Sequence, residues 1–138
     1  MAKKFRGAEL VREIDQALDR GLARFLILTQ GKLSKSSPVD TGRLASSWFI
    51  GAGVPDRSEP PKRKDGDNTP SITKYNGRIT MDRDWFISSN LDYSERVAFD
   101  PKYGKGGRQN GAAWFTTIAN NAAKDADKAF DFFLRKVK

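Results

Sequence analysis

The chain of 138 residues contains no cysteine and no histidine. The first absence removes disulfides, thiol nucleophiles and thiolate metal sites together. The second removes the side chain most used for proton transfer near neutral pH and for transition-metal ligation. A catalytic role is thereby disfavoured, and no cofactor or metal is expected. Long apolar runs are missing too: nothing approaches the roughly 20 apolar residues that span a bilayer. The opening Met1-Ala2-Lys3-Lys4-Phe5-Arg6 is basic but leads into an amphipathic segment rather than an apolar signal core, so a cytosolic product without a membrane partner is expected.

What the chain has in excess is positive charge. Lys and Arg number 25 against 17 Asp and Glu, a net +8 that favours an anionic neighbour, either nucleic acid or an acidic protein surface. Hydrophobic residues make up 38% and charged ones 30%, so a modest core under an extensive solvated surface is expected. A chain of this length can bury such a core as one domain, residues 1–138, without staples.

Two helix-period segments frame the sequence. From about Ala8 to Leu33, the recurrence of Leu10, Val11, Ile14, Leu18, Leu22, Phe25, Leu28 and Leu33 predicts a helix with one buried stripe. Its back carries Arg12, Glu13, Asp15, Asp19, Arg20 and Arg24, a solvated face of mixed sign. Gly21 inside it costs about 1 kcal/mol relative to Ala, so a bend or a close helix contact is expected there. From about Ala112 to Val137, the spacing of Trp114, Phe115, Ile118, Ala119, Ala122, Ala126, Ala129, Phe130, Phe133 and Val137 predicts a second helix. Its alanine-lined middle permits close approach, and its aromatic ends supply most of the area to bury. Spacing leaves open whether it packs on the first helix or on a neighbouring subunit.

Between these helices, Ser37 to Trp48 organises the chain. Pro38 cannot continue a helix and pushes Ser37 away from αR geometry, so the first helix should stop here. Asp40 or Thr41 can cap the next turn. Gly42 suits a tight corner, Arg43 offers a fork of donors, and Leu44 with Trp48 gives one apolar helical face. Arg43 is assigned to holding this turn through a carboxylate such as Asp40.

Strands are expected at Ser47–Gly51 and Asp84–Asn90, rich in aromatic and β-branched residues. Ser71–Thr80 alternates weakly around Ile72, Tyr75 and Ile79, with Asn76-Gly77 as a hairpin signal. Asn90 and Asp92 can cap a short helix holding Tyr93 and Val97. Residues 53–70 combine Pro55, Pro60, Pro61 and Pro70 with charges that cancel, which predicts a long mobile loop or arm. Its Lys62, Arg63 and Lys64, like Lys102, Lys105 and Arg108 in a glycine-rich basic loop, are candidate interface or DNA-path residues. That second loop lacks the Gly-Lys-Ser/Thr ending of a phosphate loop. The fold class is therefore α+β, with a long N-terminal helix and a C-terminal helix packed on a small, mostly antiparallel sheet.

Pro38-Val39-Asp40-Thr41-Gly42-Arg43-Leu44 followed by Ser46-Ser47 resembles the Pro-Val-Asp-Thr-Gly-Arg-Leu-x-x-Ser segment of a family of bacteriophage neck proteins. These are tail-completion or head-tail joining proteins of long-tailed phages, to which lambda minor tail protein Z looks related. Members carry a long helix before this motif, then strands, then a second motif of the form Pro-Tyr-Ala-x-x-Val-Glu-Phe-Gly-Thr. Tyr93, Val97 and Phe99 match that second motif, while Ala98 stands at its Glu and Asp100 at its Gly. The resemblance implies family-motif roles for Pro38, Asp40, Thr41, Gly42, Arg43, Leu44, Ser47, Tyr93, Val97 and Phe99. It further implies a structural virion protein in a ring, hexameric in the virion, joining head-completion or connector proteins to the tail terminator or tail tube. Packaged DNA would pass nearby, and the location would be the virion neck, with the host cytoplasm during assembly.

Two other functions fit some of the residues. A small nucleic-acid binder would use the +8 charge with Tyr75 and Tyr103 among Lys and Arg, although no helix shows a concentrated basic face. A Mg²⁺-dependent enzyme would draw on Asp82, Asp84, Asp92 and Glu95, residues more typical of turns and caps.

Overall fold

The structure, a computed structural model, describes residues 6–37, 43–60, 71–91 and 114–137. Among these the chain forms α1 (Gly7–Ser36), β1 (Phe49–Ala52), β2 (Trp85–Ser88) and α2 (Trp114–Leu134). The strands pair antiparallel, with Phe49 opposite Ser88, Ile50 opposite Ile87, Gly51 opposite Phe86 and Ala52 opposite Trp85. This is the expected α+β arrangement of two helices on a small antiparallel sheet.

Helix α1 ends where Pro38 requires. Ser37 is its C-cap with φ −59° and ψ 135°, the extended geometry imposed on a residue before proline, and its N–H donates to Leu33 O at 3.0 Å. Helix α2 packs antiparallel along α1, so that Gly21 faces Phe130 while Lys32, further along α1, meets Asp125 at 2.7 Å. Gly21 makes the close contact that the sequence anticipates. A Cβ there would lie 2.7 Å from Phe130 Cδ1 and 2.9 Å from Phe130 Cα, so the missing side chain sets the helix separation.

The buried side of α1 differs from the single apolar stripe expected. Of that stripe only Leu33 is buried, whereas Val11 and Leu28 are 58% and 51% exposed. The buried set is Ala17, Gly21, Leu26, Thr29, Gln30, Leu33, Ser34 and Ser36. The helix meets two partners in succession. Small residues in its first half admit α2 closely, and its last turns lie against the segment around Trp48. The covered face therefore shifts around the axis. Helix α2 follows suit: only Trp114 and Ala129 of its expected stripe are buried, and Ala119 is exposed.

Three further expectations change. Residues 43–46 form a turn with Ser46 N–H to Arg43 O and Ser47 N–H to Leu44 O rather than the helical face expected of Leu44 and Trp48, because β1 begins directly at Phe49, and the expected caps Asp40 and Thr41 lie outside the described residues. Ser71–Thr80 contains no strand and only a bend at Gly77. Its backbone is engaged elsewhere, through Thr73 O to Gln30 and Ser71 N–H to Ser46. The first part of the expected mobile loop, residues 53–60, is held down. Ser88 Oγ donates to Asp56 O at 3.4 Å, Asn90 Nδ2 donates to Arg57 O at 3.0 Å, and Pro60 is buried. Val54 to Asp56 fold back so tightly over Gly51 that a Cβ there would sit 2.6 Å from Asp56 N.

The core gathers where these elements converge. Leu33, Leu44, Trp48, Leu91 and Trp114 form one buried cluster, with Ile87, Phe115 and Ile118 packed against it. Trp48 stacks on Phe115 at 6.0 Å and meets the edge of Trp114 at 6.3 Å. Rings so arranged add about 0.5–1.5 kcal/mol per pair beyond the area they bury.

Candidate functional site

The turn after α1 is built from hydroxyls and amides sealed inside the protein. Ser37, Ser46 and Ser47 are the largest fully buried side chains among the described residues, and Gln30 is buried beside them. Such groups are costly inside unless each finds a partner. Ser37 Oγ donates to Leu33 O at 2.6 Å and accepts the Trp48 indole N–H at 2.9 Å. Ser47 Oγ donates to Leu44 O at 2.6 Å and shares a 2.6 Å bond with Ser89 Oγ. Ser46 Oγ accepts from Ser71 N–H at 2.9 Å.

Gln30 joins three parts of the chain. One amide nitrogen on α1 donates to Trp48 O at 2.7 Å and to Thr73 O at 3.0 Å, using both its hydrogens. The approach to β1 and the strap at 71–73 are thus tied to α1 by a single side chain. A network of this kind fixes one arrangement of the turn, since any displacement leaves a buried donor or acceptor unpaired.

Of the expected motif residues, Leu44 and Ser47 lie in this buried region and Arg43 is exposed at its edge. The Arg43 guanidinium stands 3.5 Å from the Glu59 carboxylate, linking the turn to the 53–60 segment. Pro38, Asp40, Thr41 and Gly42 lie outside the described residues, as do Tyr93, Val97 and Phe99. So do Lys62, Arg63, Lys64, Lys102, Lys105, Arg108 and Tyr103. Tyr75, expected as an exposed aromatic, is half-buried with its ring edge-on to Trp85 at 5.2 Å. Gln30, Ser37 and Ser89 escaped sequence reasoning as a network. The visible signal was Thr29-Gln30 and Ser34 to Ser37 interrupting a helix that otherwise calls for apolar residues.

Of the acidic residues near β2, Asp82 serves the local turn. Asp82 accepts from the Thr80 hydroxyl and stands 3.5 Å from Arg83 Nε. The Thr80 hydrogen bond, aided by the Arg83 charge, holds the Asp82 carboxyl below the usual aspartate range. Asp84 O accepts from Gly53 N–H at 2.8 Å, and Asp92 and Glu95 lie outside the described residues. Among the described residues no cluster of three or more metal-ligating side chains occurs, and no helix is long and apolar enough to cross a membrane.

Family models, curated proteins and solved structures provide no match to the chain.

Proposed function

We propose that the chain is a structural protein of the phage neck that completes the tail and joins it to the DNA-filled head. The observation that carries this reading is the unbroken run Pro38-Val39-Asp40-Thr41-Gly42-Arg43-Leu44 with Ser46-Ser47 after it. Its placement supports the reading: the run follows a 30-residue helix and leads into β1. In the described end of the motif Leu44 and Ser47 face inward and lock a turn with Arg43 exposed at its edge, an arrangement that would serve without a reacting group. Its work would be to hold neighbouring surfaces in place.

In this role the protein acts as a homo-oligomeric ring, hexameric in the virion, around the DNA path. A ring requires heterologous interfaces, one patch of each subunit meeting a different patch on the next. The proposed contacts are the 53–70 segment and the basic 102–111 segment, with Lys62, Arg63, Lys64, Lys102, Lys105 and Arg108 facing protein partners or DNA. Electron microscopy of virions made without this protein is expected to show filled heads beside unjoined tails. Normal joined particles would refute the assignment.

The net charge of +8 favours a second reading, a small nucleic-acid-binding protein. Tight DNA binding by the isolated chain, falling steeply as salt rises, would support it. Weak binding together with unjoined tails would leave the neck role standing.

A further inference from the structure

Along the seam between α1 and α2 lies a groove of about 400 Å³, lined in part by Leu28, Phe132, Lys128 and Asp125. Two large apolar side chains are left in water there, Leu28 at 51% and Phe132 at 43% exposure. The Phe132 ring carries two cations, with Arg24 Cζ 4.4 Å and Lys136 Nζ 4.3 Å from its centroid. Asp125, the carboxylate of the lining, is taken by Lys32 at 2.7 Å. Among the described residues Arg24, Lys128 and Lys136 form no ion pair. Among the described residues the groove thus joins uncovered apolar surface to unbalanced positive charge.

The walls decide the form of the occupant. Both are helices, whose mid-helix N–H and C=O groups are already paired along their own axes. An extended segment laid in the groove would find no sheet edge to satisfy its backbone. A helix brings its own hydrogen bonds and presents anchors at i and i+4, the usual mode for a groove between helices. We infer that this groove docks an acidic amphipathic helix of a partner protein, with an apolar anchor between Leu28 and Phe132 and carboxylates against Arg24, Lys128 and Lys136. A second copy of the chain is the poorer fit at this groove, because the exposed faces of α1 and α2 carry charges of both signs rather than a run of carboxylates. Nucleic acid would answer the cations but leave Leu28 uncovered. The chemistry of the groove is the same whether or not the chain works in a virion.

The test uses the full chain and a display library of roughly 15-residue helical peptides, long enough to hold a helix. Leu or Phe is fixed at i and i+4, and the flanking positions sample Glu, Gln and Lys. Peptides rich in Glu are expected to be enriched and to bind about tenfold more tightly than their Gln counterparts. Lys128→Glu and Leu28→Ser, both at exposed positions, are each expected to lose about tenfold in affinity with an unchanged melting curve. Enrichment of Gln or Lys, no enrichment, or full affinity in both variants would overturn the inference. So would sedimentation showing that the chain self-associates and that Leu28→Ser abolishes it, since the occupant would then be a second copy. Loss of peptide binding on adding double-stranded DNA, retained in Leu28→Ser, would assign the groove to phosphate instead.

Discussion

The indole N–H of Trp48 donates to Ser37 Oγ at 2.9 Å, so the residue that closes α1 also anchors the aromatic at the entry to β1. The two lie either side of Pro38 in sequence, and their bond ties the end of α1 to the residue before β1. Ser37→Ala would leave that indole N–H buried without an acceptor, a loss of about 1–3 kcal/mol. Urea unfolding is expected to show a midpoint lowered accordingly with little change in slope. A midpoint equal to that of the natural chain would mean that the bond does not hold the turn.

Gln30 offers a sharper contrast. Gln30→Leu keeps most of the volume but strips both donors from Trp48 O and Thr73 O. The expected destabilisation is about 2 kcal/mol or more, because two carbonyls lose their partner. Amide exchange should also quicken at 71–73 before it does in α2. Uniform exchange across the chain would contradict the tie proposed for this side chain.

Gly21→Ala runs against helix propensity. In an exposed helix the change would stabilise by about 1 kcal/mol. Here the new Cβ would press 2.9 Å from Phe130 Cα, which can move only if α2 moves. A net loss of about 1–3 kcal/mol is expected from overpacking, read as a lower melting temperature. A rise in melting temperature would show that the two helices are not in close contact here.

Asp82 supplies a prediction in pH. Its folded carboxyl is held below the ordinary range by the Thr80 hydroxyl and Arg83. The associated stability is therefore present above the unfolded value and is lost as pH falls through the folded one. Carbon-detected titration is expected to give Asp82 a pKa that rises in Thr80→Val. An unchanged titration in that variant would remove the hydroxyl as the cause.

Much of the architecture was legible because it follows from local rules. Pro38 stops α1 through its own ring, the aromatic and β-branched runs at 49–52 and 85–88 become strands, and the Trp114–Leu134 period becomes α2. The Asn76-Gly77 signal failed because a hairpin needs two free strands. Residues 71–73 instead spend their backbone on Gln30 and Ser46. The serine network was illegible as a site, since hydroxyls look alike in sequence whether they face water or one another.

The order of elements, the end of the first helix and the want of thiol and imidazole chemistry belong to the sequence by itself, because each depends on residues at hand or a few positions away. Which side of α1 is covered was decided only by tertiary structure. Gly21 meets Phe130 and Gln30 meets Trp48 across long stretches of chain, so burial follows the partners an element finds rather than its own apolar count. For the same reason the exposure of Leu28 and Phe132 became visible only once the helices were side by side.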